Sequence, residues 1–230
     1  MKSNRYVALY SLWAVTTVTM IYALWQVFVL APEEKVMGAV QKVFYFHVAS
    51  AMMIYLGVFV MIVGSIAYLW TRRQVFENMS RAATESALLF ATIVLITGPI
   101  WARPAWGTWW TWEARLTTTL VLWILLVAAL MVRRYAGDDD LGARLAAVVG
   151  IVAGVDVFVI RKAVEWWRGQ HPTVFGPNQR EGLATEMQYP FVMSILAMLL
   201  LFCLLVWMRS RTLSIRQRLA ACVEQLDERG

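Results

Sequence analysis

The chain has 230 residues, of which 60% are hydrophobic and only 16% charged, a balance outside the range of ordinary soluble domains. So much apolar surface exceeds what a soluble core of this size can hide, which makes lipid the expected solvent for much of the chain and excludes disorder and collagen-like order. The net charge of +6 is the basic excess expected of a membrane protein's cytoplasmic loops, and nothing in it calls for nucleic acid as a partner.

A helical bilayer crossing needs about 20 mostly apolar residues, and six runs in the chain approach or exceed that. The first, Val7 to Leu30, follows Lys2 and Arg5 but is longer than a signal-peptide core, so it is read as a retained helix. Tyr45 to Trp70 and Ala82 to Trp101 follow, then the shorter Leu116 to Val132 and Leu145 to Ile160, and finally Tyr189 to Met208. The expected fold is an all-α integral membrane protein with six transmembrane helices occupying residues 1–208, followed by a tail at 209–230. That tail is basic at Arg209, Arg211, Arg216 and Arg218, with Ile215, Leu219, Cys222, Val223 and Leu226 at helical spacing. It reads as a short amphipathic helix that could meet a cytoplasmic subunit or anionic lipid.

Six crossings put both termini on one side of the membrane. The N-terminal tail, the 71–81 and 133–144 loops and the C-terminal tail carry 13 basic residues, against 8 in the 31–44, 102–115 and 161–188 segments. The positive-inside rule therefore makes both termini cytoplasmic and the second group of segments external. Asp156 falls within the fifth run, where an ionisable group is either a functional residue or a buried helix contact. The two cysteines, Cys203 and Cys222, form neither CxxC nor CxxCH, so no disulfide framework, zinc knuckle or covalent c-haem site is expected.

Tryptophan carries the first chemical signal. Of 12 in the chain, Trp101, Trp106, Trp109, Trp110 and Trp112 fall within one short stretch. A single Trp near a span end is ordinarily an interfacial anchor, but such anchors spread over many helix ends, whereas these crowd one external segment. Pro99 and Pro104 lie at its start and are expected to end span three there, so that a separately oriented amphipathic surface element begins. If that element is helical, Trp106, Trp109, Trp110 and Glu113 share one face, suited to a large planar aromatic ligand.

The only two histidines, His47 and His171, carry the second signal. The topology puts both on the external side beside the Trp-rich segment. A lone loop histidine is ordinarily solvated or hydrogen-bonded, but two neutral imidazoles on separate elements could also clamp one haem iron from opposite porphyrin faces. Zinc would want three or four protein ligands, and no third His or supporting Cys is at hand.

The stretch from Trp106 to Thr117, with Phe46-His47-Val48 and the Val164-Glu165-Trp166-Trp167 run leading to His171, resembles the tryptophan-rich WWD domain of haem-handling membrane proteins, and in particular the CcmC family of cytochrome c biogenesis. The resemblance extends over nearly the whole chain. It implies that His47 and His171 are axial ligands of a non-covalent, transient haem b. Trp106, Trp109, Trp110 and Trp112 would form the external haem platform, and Gly107 would let the backbone turn closely. It further implies haem transport at the cell inner membrane and delivery to the haem chaperone CcmE, together with CcmD, CcmB and CcmA. The haem propionates would pair with Arg103, Arg115, Arg168 or Arg180. The chain departs from the family pattern at Glu113, where Asp is usual, and at Ala49 and Ser50, where a proline is common.

No Walker loop is present, so ATP hydrolysis falls to a partner and the chain is not expected to be an enzyme. Two other readings compete. A membrane b-type electron-transfer cytochrome usually has histidine pairs inside its spans, and only one external pair exists here. A cofactor-free small-molecule transporter would use the Trp cluster as a substrate site, without the discontinuous helix pair or inverted repeat that such folds often carry.

Overall fold

The structure is a computed structural model, and it describes residues 2–34, 37–136, 140–167 and 183–228. Six helices, each long and apolar enough to cross a membrane, account for most of these residues: α1 (Lys2–Trp25), α2 (Val43–Thr71), α3 (Gln74–Trp106), α4 (Ala114–Tyr135), α5 (Asp140–Trp167) and α6 (Thr185–Asp227). The expected six-span, all-helical architecture is therefore present. A π-helical turn, Gln26–Leu30, extends α1, and a single 3-10 turn, Ala39–Lys42, leads into α2.

Helix α2 is the centre of the bundle and packs against α3, α5 and α6. Its approach to α3 is close because α3 presents the fully buried Ala83, Ala87 and Ala91 at every fourth residue, and small side chains let two backbones come near in the absence of a hydrophobic drive. Met53, Val58 and Met61 of α2, Phe90 of α3, Leu122 and Leu126 of α4 and Phe202 of α6 complete that core. The perimeter is apolar too, with Val18, Phe59, Ile66, Val155, Phe158 and Val192 exposed. This is the surface a lipid-facing bundle needs, since every helix already satisfies its own backbone.

At the end of the bundle that holds the termini, ion pairs tie the helices together. Arg133 on α4 reaches Glu77 on α3 at 2.7 Å, with both side chains almost fully buried. Glu85, inside an apolar stretch of α3, is gripped by both Nε and Nη2 of Arg209 on α6. Asp140 receives Tyr68 at 2.6 Å and Arg72 at 2.9 Å. The α2–α3 link is only Arg72 and Arg73, and Arg72 adopts a left-handed backbone (φ 56°) whose N–H caps Tyr68 at 2.8 Å.

One expectation is corrected. Helix α3 does not stop at its prolines but continues through Pro99 and Pro104 to Trp106. Gly98 removes the Cβ that would clash with the Pro99 ring, and helices in a membrane tolerate proline more readily than soluble ones. At the other end of the chain, α6 runs unbroken through 209–227, so the helix expected in the tail continues directly from span six. At about 1.5 Å per residue its 43 residues extend about 64 Å, twice the roughly 30 Å hydrocarbon thickness.

A candidate haem site at the α3–α4 loop

Trp106 is the last residue of α3, and the chain then leaves the helix because Gly107 takes a left-handed conformation with φ 75° and ψ −2°. Its N–H bonds back to the Arg103 carbonyl at 3.0 Å, and the Arg103 guanidinium in turn donates to the Gly107 carbonyl. Residues 107–113 are an irregular loop, not a helix, so the helical face expected for Trp106, Trp109, Trp110 and Glu113 does not form. The reason is local: a positive φ at position 107 cannot be continued by a right-handed turn. Replacing Gly107 with Ala is expected to destabilise the protein by about 1–2 kcal/mol, since a Cβ strains the left-handed region, with Asn costing less. Thermal denaturation of the three proteins checks this, and an alanine variant as stable as wild type would contradict the turn.

The loop sets its indoles at different depths. Trp109 is 58% and Trp112 76% exposed, whereas Trp106 and Trp110 are half-buried. Trp106 meets Trp101 edge to face at 5.6 Å, and Trp110 meets Trp112 likewise at 5.8 Å. The Arg103 guanidinium lies 6.0 Å from the Trp109 ring centroid. Arg103 is thus committed to the loop on two sides, to an indole face and to a carbonyl. Trp101 is anchored separately by its Nε1–H to Gln41 at 3.1 Å.

Glu113 opens α4 in an extended conformation, and its carbonyl accepts the Thr117 N–H at 3.0 Å. Within this short region Trp110 Nε1, Thr111 Oγ1, Arg115 Nε and Thr117 Oγ1 are buried and have no hydrogen-bond partner among the described residues. Folded proteins leave few such groups. Four of them, one belonging to a guanidinium, lie in the same short segment as the exposed Trp109 and Trp112, an arrangement able to receive a polar or anionic group of a flat, apolar ligand.

His47 lies in the second turn of α2, half-buried. Its Nδ1 is 2.8 Å from Thr97 Oγ1 on α3. Thr97 is nine residues before Trp106 on the same helix, which is about 14 Å along its axis, comparable with the breadth of a porphyrin. His171, Arg168 and Arg180 lie outside the described residues. The described part of α5 reaches Trp167, which together with Trp166 is exposed, the two rings 5.7 Å apart. His47 and the Trp loop are therefore brought to one end of the bundle. Asp156 sits half-buried within α5, and its Oδ2 has no hydrogen-bond partner among the described residues. Thr97 and Gln41 were not singled out from the sequence, because a threonine inside an apolar run ordinarily bonds its own helix and a glutamine in a short turn is usually solvated.

A family model described as heme exporter protein C matches residues 3–225. The chain belongs to the heme exporter protein C family, CcmC. Among the relatives, heme exporter protein C of Paracoccus denitrificans is 34% identical over 84% of this chain and 80% of its own length. The protein of the same name in Rhodobacter capsulatus is 32% identical over 92% of this chain and 88% of its own. That of Escherichia coli K12 is 31% identical over 81% and 75%. The CcmC match extends from the start of α1 to within two residues of the end of α6 and includes the Trp-rich loop.

Proposed function

We propose that this chain binds haem b non-covalently at the external, periplasmic face of the bacterial inner membrane and hands it to the haem chaperone CcmE, working in a complex with CcmA, CcmB and CcmD. Family membership supports a role in haem export for cytochrome c maturation. The observation that carries the finer reading is the shared end of the bundle. A histidine held on α2 and α3 lies about 14 Å along α3 from a loop of tryptophans, two of them open to the surroundings.

Haem is the cargo, and each group has a physical task toward it. His47 and His171 ligate the iron, while Trp106, Trp109, Trp110 and Trp112 lie against the porphyrin. Arg115, whose buried Nε lacks a partner among the described residues, is the better placed guanidinium for a propionate, because Arg103 is already occupied by Trp109 and Gly107. A loop this exposed leaves one haem edge open to CcmE, which a deep pocket would not. The basic termini face the cytoplasm and α6 ends there, near enough to meet a subunit or the lipid surface. The chain itself acts as a transfer subunit, and energy from ATP enters through partners.

The test is haem loading of CcmE in cells that express the whole set of proteins. Wild type is expected to load CcmE, and Glu113→Asp to load it equally, because the carboxylate and its charge are kept at the head of α4. Loading that fails to depend on this chain would overturn the reading, and loss of loading in Glu113→Asp alone would show that the longer reach is required.

A further inference from the structure

The hydroxyl of Thr97 carries one proton, and that proton is spent. Thr97 Oγ1 donates to the Ile93 carbonyl at 2.7 Å, so toward the imidazole 2.8 Å away it acts as the acceptor. His47 must then carry its proton on Nδ1. We infer that Thr97 is a positioning residue for the proposed haem ligand: it fixes His47 as the Nδ1–H tautomer and leaves the Nε2 lone pair as the only one the ring can offer iron.

The proposal rests on the reading of His47 as an axial ligand and goes beyond it. An unconstrained neutral imidazole exchanges its proton between two nitrogens and rotates about χ2, and only one tautomer and a narrow range of angles suit a metal on Nε2. Here the ring is fixed by a partner on a different helix. That partner is itself fixed, since its hydroxyl is bound to the turn before it. Gly98 lines the ring edge, its ideal Cβ position lying 3.4 Å from His47 Cε1, at van der Waals contact. The Thr97-Gly98 pair immediately precedes Pro99 within α3.

Two measurements test this. With only two histidines in the full chain, nitrogen-15 spectra of histidine-labelled, haem-free protein, assigned with His171→Ala, report each tautomer without changing Thr97. The expected result is His47 protonated on Nδ1, and protonation on Nε2 would overturn the proposal. The second compares haem retention and the electron paramagnetic resonance spectrum of bound ferric haem in wild type, Thr97→Val, Thr97→Ser and His47→Ala. Valine keeps the shape and removes the acceptor. It is expected to lower haem retention about tenfold or more and to shift the low-spin signal, with serine restoring both. Valine equal to wild type while His47→Ala loses haem would refute the role of Thr97 and leave His47 as a ligand. An unchanged spectrum in His47→Ala would instead refute the ligand reading itself.

Discussion

Replacing His47 by alanine is expected to reduce the haem that co-purifies with the chain at least about tenfold and to abolish loading of CcmE. The magnitude follows from a comparison. Loss of a hydrogen-bond partner behind a metal-bound imidazole typically costs about 10- to 100-fold in affinity, and loss of the imidazole costs no less. The remaining contacts, indole faces and a guanidinium for a propionate, would retain some haem, but without one axial ligand its low-spin spectrum should be lost. Added imidazole is expected to restore part of that spectrum, since the cavity left by the side chain lies beside Thr97. His171→Ala is expected to behave alike. Normal retention and loading in both variants would remove the axial-ligand assignment.

Arg133→Ala is expected to produce the largest loss of stability. Arg133 is 4% and Glu77 5% exposed, and their contact at 2.7 Å joins α4 to α3 at the end of the bundle that holds the termini. Removing one partner of a buried ion pair leaves an uncompensated charge and costs about 3–5 kcal/mol, whereas replacing both by apolar residues of similar size is often neutral or stabilising. The double variant Glu77→Leu with Arg133→Met should therefore recover most of the stability lost in the single one. Thermal denaturation in detergent distinguishes these cases. Equal stability of wild type and Arg133→Ala would show that the pair is dispensable, and failure of the double variant to recover would assign the arginine a role beyond neutralising Glu77.

Much of the architecture was legible from the sequence because a bilayer imposes a length on each apolar run, and the six runs approach or exceed it. What was not legible depends on contacts between residues far apart in the chain. Nothing local pairs Glu77 with Arg133 or Glu85 with Arg209, although both acids lie in α3, Glu77 ahead of its apolar run and Glu85 inside it. The prolines misled for a related reason: their rule is derived from helices in water, and α3 carries Pro99 and Pro104 within a packed bundle. At the candidate site, residue types and clustering were readable, since five tryptophans in one short stretch and only two histidines stand out by count alone. Their arrangement was not. The left-handed Gly107 turns the expected helical face into a loop, and the partner of His47 is a threonine 50 residues away whose local pattern is that of any span threonine.

The most direct measurement of the central claim is the absorption spectrum of the detergent-purified chain expressed with its partners, with pyridine haemochrome quantitation, acid-acetone extraction and then addition of haem-free CcmE. A low-spin Soret band from about one extractable haem b per chain is expected, diminishing as haem appears on CcmE. A chain that carries no haem under any of these conditions would contradict the claim, leaving the tryptophan loop an interfacial anchor and favouring a transporter without a cofactor.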